Sequence, residues 1–319
     1  MSSKVDIGDW TTAFKADHKG SGGTREAARQ TFTTFQRFVN KSKAARTWTN
    51  ELTPEKISSK QVRAFLEHCK NEILPSGKTR EARVVQNIAS HIRRAVMGAG
   101  RKDEFKNIRD PKCNWSSSRL GLDKASRFGN RSPMSQERYE TARQILDVRE
   151  RTALDLQRNL GLRMREAVVG GSLRTIIREI NAAQLKGQQC AFVTVIGGTK
   201  GGRPRVTFID SDRFEKVKEI CARAISLQSE TKGGFLIDKP TLAQAVRRYS
   251  NESRAAGLTG DDSSHGARRA FAAEQYNFYI EQGRTQKEAL AALACDLGHG
   301  DGRGQWVLNN YLPWLRGGV

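Results

Sequence analysis

One stretch of this chain reads as β-structure, and its punctuation decides much of the fold. Residues 188–196 form an apolar run rich in β-branched side chains, and residues 206–209 form a second, shorter one. Between them lies Gly198-Thr199-Lys200-Gly201-Gly202-Arg203-Pro204-Arg205, whose glycines and proline favour a reversal of the chain. The two runs predict a β-hairpin with Lys200 at its tip. Elsewhere apolar residues recur at helical spacing. The fold class expected is mainly α with a small β-hairpin or sheet.

The helices fall into two groups. Residues 1–23 are polar, end in Lys19-Gly20-Ser21-Gly22-Gly23, and read as a flexible lead. Thr24 can cap a helix that buries Phe32, Phe35 and Val39 on one face. Leu52-Thr53-Pro54-Glu55-Lys56-Ile57-Ser58 reads as a turn and cap. A second helix follows through Val62, Phe65 and Leu66 to about Ile73, where Pro75-Ser76-Gly77 breaks it. A third carries Val84, Val85, Ile88, Ile92, Ala95 and Val96 and stops at Gly98-Ala99-Gly100. Residues 24–108 therefore read as a helical domain. Residues 109–134 hold Pro111, Gly121, Gly129, Pro133 and three consecutive serines, and read as a linker. Residues 135–319 read as a second domain, with helices from Ser135 to about Asp147, then over 149–160, 173–184, 211–228, 240–256 and 266–282 around the hairpin.

Charge narrows the partner. The chain has 319 residues, with 55 Lys and Arg against 34 Asp and Glu, a net charge of +21. Such an excess repels itself unless a polyanion relieves it, and Lys and Arg gain affinity for nucleic acid by releasing counterions from phosphates. Arg80, Arg83, Arg93 and Arg94 flank the third helix and, with Arg203 on the hairpin, are candidate DNA contacts. A charged helix face is by default only a solvated one; here the repetition of basic flanks favours the backbone of a duplex. Cys69, Cys113, Cys190, Cys221 and Cys295 are widely separated, without C-x-x-C, which argues against a zinc site or a disulfide framework. The first twenty residues lack the apolar core of a secretory signal, and no run approaches the roughly 20 apolar residues that span a bilayer. A cytoplasmic, nucleoid-associated protein with no membrane partner is expected.

A set of polar residues stands out by its order along the second domain. Breaking a phosphodiester without a metal takes a nucleophile, an acid for the leaving oxygen, and cations for the non-bridging oxygens. Arg163 and Arg268 suit the last task, because a guanidinium fork matches two phosphate oxygens. Lys200, on its glycine-rich tip, can approach a phosphate and donate a proton to a leaving 5′ oxygen. His265 and His299 can relay protons. Tyr311 offers a phenolic oxygen, a poor nucleophile without help from cations and a base. Each of these residues taken singly is ordinary; their company makes the pattern.

That pattern resembles the tyrosine recombinases, the phage-integrase family. Gly161-Leu162-Arg163-x-x-Glu166 looks like the family's first arginine motif, and Lys200 in Thr-Lys-Gly-Gly-Arg like its hairpin lysine. His265-Gly266-Ala267-Arg268, Leu297-Gly298-His299 and Tyr311-Leu312 match the remainder. The resemblance covers about residues 24–319. It implies a SAM-like helical core-binding domain ahead of a mixed α+β catalytic domain, closed around duplex DNA. It implies a site-specific recombinase that cuts and rejoins strands through a 3′-phosphotyrosyl link, integrating, excising or rearranging a mobile element. Tyr311 would be the nucleophile, Arg163 and Arg268 would stabilise the transition state with His299, Lys200 would be the general acid and His265 the general base. No cofactor or metal is implied. The partners implied are double-stranded DNA with specific recombination sites, a homotetramer on two such sites, and accessory proteins.

The sequence departs from the family pattern in spacing. Tyr311 lies twelve residues after His299 where about nine are usual, and the excess falls in Gly300-Asp301-Gly302-Arg303-Gly304, ahead of a helix expected over 305–312. The interval from Arg268 to His299 is also long, with residues 281–287 as the insertion. Tyr276 and Tyr279 are rival nucleophiles, although both precede Leu-Gly-His. The stretch before residue 24 is short for an arm-binding domain, and residues 312–319 are short for an exchanged C-terminal helix. The alternative readings are a type IB topoisomerase, which swivels one duplex, and a non-cleaving accessory DNA-binding protein of the same fold.

Overall fold

Trp10, Phe32, Phe35, Phe38 and Phe65 arrive from three helices and meet in one cluster. Trp10 and Phe35 have ring centroids 5.3 Å apart, and Phe35 and Phe65 4.9 Å. Offset and edge contacts of this kind add to the burial of large apolar surfaces. The helices that supply them are α1 (Ile7–Asp17), α2 (Gly22–Lys41) and α4 (Ser59–Asn71), with the single turn α3 (Lys43–Arg46) between the last two. Long α5 (Ala82–Gly98) completes the group and buries Val85, Ile88, Ala89, Ile92, Ala95 and Val96. Val84, expected in that stripe, instead faces solvent. The computed structural model describes residues 5–17, 22–48, 51–102, 115–122, 132–199, 204–260 and 263–318. It divides into two compact units between Arg127 and Phe128.

The first unit corrects the sequence reading at both of its ends. Residues 1–23, expected as a flexible lead, contain α1, whose Trp10, Ala13 and Phe14 are buried. Three apolar residues at i, i+3 and i+4 within a polar stretch are a short signal. They suffice because Trp10 also donates from Nε1 to the Leu52 carbonyl at 2.8 Å. Of the expected linker 109–134, residues 115–122 lie on the core instead. Trp115, Leu120 and Leu122 are buried there, and Gln86 Nε2 donates to the Leu122 carbonyl at 3.2 Å. The prolines, glycines and serines suggested a linker, but Trp-x4-Leu-x-Leu carries enough apolar surface to dock. Other punctuation falls as expected. Ser58 caps α4 in a reciprocal capping box with Gln61, and Gly77, at φ 74°, turns the chain after it.

The second unit is built around α7 (Val148–Leu160), in which Thr152 through Leu160 are all buried. A helix buried on every side loses the one-sided apolar stripe, so its charged residues need internal partners. Asp155 shows how they are found. Its carboxylate accepts from Tyr139 Oη at 2.6 Å, Arg143 Nε at 2.9 Å and Arg223 Nη2 at 2.6 Å. Around α7 lie α6 (Gln136–Ile145), α10 (Phe214–Ser229), α11 (Leu242–Ala255) and α12 (Ser264–Glu281), with α9 (Leu173–Leu185) packed on α10. The short α8 (Met164–Val169) follows α7 directly, and α13 (Gln286–Asp296) and α14 (Gly304–Tyr311) close the unit.

The expected hairpin is present as β1 (Cys190–Val195) and β2 (Arg205–Asp210), antiparallel, with Cys190 opposite Asp210 and Val195 opposite Arg205. Ala191, Val193, Val195 and Ile209 face the main core of the unit. Phe208 joins a second core with Phe271, Tyr276, Tyr279, Leu290, Leu293, Leu297 and Val307. The hairpin thus separates two apolar clusters and carries Arg205 at the junction. Among the described residues, helices predominate and these two strands form the only sheet. No described helix is long and apolar enough to cross a membrane.

The contact of α1 with α5 yields a prediction about the first unit. A Cβ on Gly98 would lie 1.8 Å from the Ala13 carbonyl oxygen, so the two backbones approach where only glycine fits. Gly98→Ala should lower stability by about 1–3 kcal/mol, as overpacking does, despite alanine's better helix propensity. Chemical denaturation of the full chain measures it, and an unchanged or raised midpoint for the first transition would contradict the packing described.

Candidate active site

The site begins where α7 ends. Gly161 takes the left-handed conformation (φ 58°), stops the helix, and presents its carbonyl away from the helix axis. Two buried arginines donate to that carbonyl: Arg268 through Nη1, and Arg205 through Nη2 at 3.2 Å. Two residues later Arg163 caps α8. Its backbone N–H donates to Glu166 Oε2 at 2.8 Å, and its Nη1 donates to Glu166 Oε1 at 2.6 Å. The Gly-Leu-Arg-x-x-Glu spacing is thus a helix start in which residue i+3 reaches back to the cap.

A second strand of the site comes from the turn after α13. The Leu297 carbonyl accepts from Arg163 Nη2 at 3.0 Å and from Arg268 Nη2 at 2.5 Å. Both arginines therefore share one backbone oxygen, which fixes the two forks side by side. Arg268 lies in the first turns of α12 and is fully buried. Its Nε donates to the Tyr311 phenolic oxygen at 3.0 Å. His299 follows the turn, and its Nε2 lies 3.4 Å from the same oxygen. The His265 ring centroid is 5.7 Å from that of Tyr311, and the His265 residue is exposed. Trp306 packs against His299 in a tilted arrangement with centroids 4.1 Å apart.

Arg163, Arg268, His299 and Tyr311 therefore converge, with His265 beside them. The twelve-residue interval from His299 to Tyr311 is taken up by a loop in which Gly300 and Gly302 have φ of 81° and 73°. Helix α14 follows and sets Tyr311 at its last position. The rival tyrosines sit elsewhere. Tyr276 is buried in the second core, and Tyr279 donates to Asp296 Oδ2 at 2.6 Å, with burial and that carboxylate raising its pKa. Lys200 and Arg203 lie outside the described residues. Of the candidates on the first unit, Arg83 is exposed, while Arg93 and Arg94 are half-buried. Arg94 Nη1 lies 3.7 Å from Asp17. Arg80 is drawn inward, pairing with Glu72 and donating to the Cys69 carbonyl at 3.3 Å.

The electrostatics follow from burial. Burial pushes the Glu166 carboxyl up, but Arg205 and Arg268, with the Arg163 amide and guanidinium, overcome it and hold the pKa at about 2. Glu166 is an anion at every ordinary pH. His299 is lowered to about 3, first by burial and then by Arg268, Arg163 and Arg205, so near pH 7 its imidazole is neutral. A neutral imidazole 3.4 Å from a phenol offers one nitrogen as donor or as acceptor without adding charge. Asp296 is raised to about 6 by burial, against the hydrogen bonds from Tyr279 and the Phe208 amide.

Three residues escaped the sequence reading as participants. Arg205 was visible only as the end of the hairpin tip, and Glu166 only as a motif letter. Asp296 precedes Leu-Gly-His directly, and its carbonyl receives Arg205 Nη1 and Thr207 Oγ1, the latter at 3.0 Å. A lone charged residue inside an otherwise apolar strand such as Arg205-Val206-Thr207-Phe208-Ile209 was the available signal, because it must find a buried partner.

Comparison with known proteins accords with this geometry. Residues 121–274 match the family model described as Integrase, a stretch that includes Arg163, Lys200, Arg205, His265 and Arg268 and ends before His299 and Tyr311. A λ integrase tetramer bound to a Holliday junction is similar in structure at 16% identity, with TM-score 0.53, over 92% of this chain and 76% of that one. A λ integrase dimer bound to a COC′ core site gives TM-score 0.51 at 17% identity, over 95% and 77%. The XerH site-specific recombinase bound to its difH substrate gives TM-score 0.50 at 14% identity, over 92% and 79%. No curated protein sequence matches the chain. The integrase match over this stretch and the shared fold accord with the expectation raised by the sequence: the chain is similar to the tyrosine recombinases, the phage-integrase family.

Proposed function

We propose that the protein is a site-specific DNA recombinase that cuts and rejoins strands through Tyr311. The observation that carries this reading is the position of one phenolic oxygen, 3.0 Å from Arg268 Nε and 3.4 Å from His299 Nε2, beside a second arginine fixed on the same carbonyl. In the reaction, the Tyr311 oxygen attacks phosphorus and loses its proton to His265, the exposed imidazole beside it. The bond from phosphorus to the 5′ oxygen breaks, and Lys200 supplies the proton that this oxygen takes up. Arg163 and Arg268 stabilise the charge that grows on the non-bridging oxygens, a task for which preorganised donors are worth several kcal/mol. His299, neutral in its buried setting, donates one further hydrogen bond. The 3′-phosphotyrosyl link keeps the energy of the broken bond, so a new 5′ hydroxyl can reverse the step on another strand.

The first unit supplies the grip on DNA in this reading. The first unit, extended beyond the expected 24–108 by α1 and the docked segment 115–122, is the core-binding domain, with Arg83 and the neighbouring Arg93 and Arg94 toward the duplex. Arg80, held by Glu72, contributes through its position rather than a free guanidinium. Two cleavage sites and four protomers then make one recombination event, on DNA carrying the ends of a mobile element.

Three outcomes test the reading. On a nicked suicide substrate carrying those ends, the wild-type protein should form a covalent adduct and Tyr311→Phe none, while duplex binding stays close to normal. An adduct that survives in Tyr311→Phe would move the nucleophile elsewhere. Lys200→Ala should slow cleavage by about 10²–10⁴, the range of a general acid. Sulfur in place of the bridging 5′ oxygen should restore most of that rate in Lys200→Ala but not in Arg163→Ala. Affinity for DNA without the target site should fall steeply as salt rises, through loss of counterion release; a nearly flat dependence would remove the first unit from the duplex.

A further inference from the structure

One carboxylate serves three guanidiniums in the second unit, and the third of them has no place among the reacting groups. Arg205 opens β2, opposite Val195 in the hairpin, and its side chain is buried beneath the site. Its Nη2 donates to Glu166 Oε2 at 3.1 Å and to the Gly161 carbonyl at 3.2 Å. Its Nη1 donates to Thr207 Oγ1 and to the Asp296 carbonyl. Its described hydrogen bonds go to neither Tyr311 nor His299; it acts on His299 through its charge and on the rest of the site through the groups it holds. The turn before His299 lies directly on its stem, since a Cβ on Gly298 would come within 2.6 Å of Arg205 Cδ.

Consider the charges in this cluster. Glu166 carries one negative charge, and Arg163, Arg205 and Arg268 carry three positive ones, so the group holds a surplus of two. With Arg205 absent, Glu166 would neutralise one of the two arginines that face a phosphate: it lies 2.6 Å from Arg163 and 3.8 Å from Arg268. Interactions between such charges are strong where water is excluded, so the assignment of this one anion matters to any incoming one.

We infer that Arg205 is a positioning residue for the phosphate clamp: it engages Glu166 from below, so that Arg163 and Arg268 keep both their placement and their charge for the scissile phosphate. The inference rests on the recombinase reading above and deepens it. Arg205 also ties Gly161 to Asp296, the residues on either side of the clamp, so one side chain sets both the geometry and the charge. Burial and Arg268 lower its pKa to about 10, which leaves it protonated near neutral pH.

The test compares Arg205→Met and Arg205→Lys, each shown to be folded by circular dichroism, on two suicide substrates. One has the ordinary scissile phosphate and the other a methylphosphonate, in which a methyl group replaces a charged oxygen. On the ordinary substrate Arg205→Met should form the adduct at least 10²-fold more slowly than wild type. On the methylphosphonate, which asks less of the surplus charge, its deficit should shrink at least tenfold. Arg205→Lys, which keeps the charge, should lie within about tenfold of wild type on both. A merely structural role predicts equal losses on the two substrates, and that result overturns the inference. Should Arg205→Met fail to fold, the lysine variant decides: a loss as large as that of Arg163→Ala on the ordinary phosphate overturns it. Absence of any adduct with the wild-type protein overturns the recombinase reading, and this inference with it.

Discussion

The carboxylate of Glu166 is the contact on which the second unit's site depends. It is buried, ionised, and bonded to Arg163 and Arg205, with Arg268 3.8 Å away. Through these three side chains it joins the end of α7, the start of β2, the first turns of α12 and the turn after α13. Burying such a cluster is costly, because each charge leaves water and repulsion among the cations remains. The cost is met in the two apolar cores on either side of the hairpin, the second of which also packs Tyr311. Geometry that must be held against repulsion is held by packing, and the arginines are placed because the helices are.

The backbone contributes as much as the side chains. Gly161 and Leu297 are not reactive, yet their carbonyls receive five of the arginine bonds described here between them and the neighbouring Asp296. A guanidinium anchored on a carbonyl loses little conformational freedom when it meets a phosphate, since most of that freedom is already gone. The neutral state of His299 belongs to the same arrangement. Burial first, and then the charges of Arg268, Arg163 and Arg205, keep a proton off its imidazole near pH 7.

Much of this was legible in the sequence, for reasons that differ from residue to residue. The hairpin was visible because glycines and a proline interrupt two β-branched runs, and α4 because a turn-and-cap run ending in Ser58 precedes Val62, Phe65 and Leu66 at helical spacing. Arg163, Arg268, His299 and Tyr311 were found as an ordered set; their convergence needed the tertiary structure, because 43 residues separate Arg268 from Tyr311. Arg205 was missed because its one local signal, a charge opening an apolar strand, is faint in a chain with 55 Lys and Arg. Helix α1 and the docked segment 115–122 were misread because few apolar residues, each large, do the docking. Composition averages dilute a single tryptophan, whereas a core does not.

Every site residue described stands at the end of an element. Arg163 lies between α7 and α8, Arg205 begins β2, His265 and Arg268 open α12, His299 follows α13, and Tyr311 ends α14. Residues at such ends are carried by rigid bodies yet joined by loops, and loops tolerate added length at a cost that grows only logarithmically. Three extra residues after His299 therefore lengthen a tether without moving its moorings. Chains built this way can drift apart in loop length, and in most of their sequence, while the reacting atoms stay in register. Interval counting along such a chain is a poor ruler; the order of the residues is the durable one.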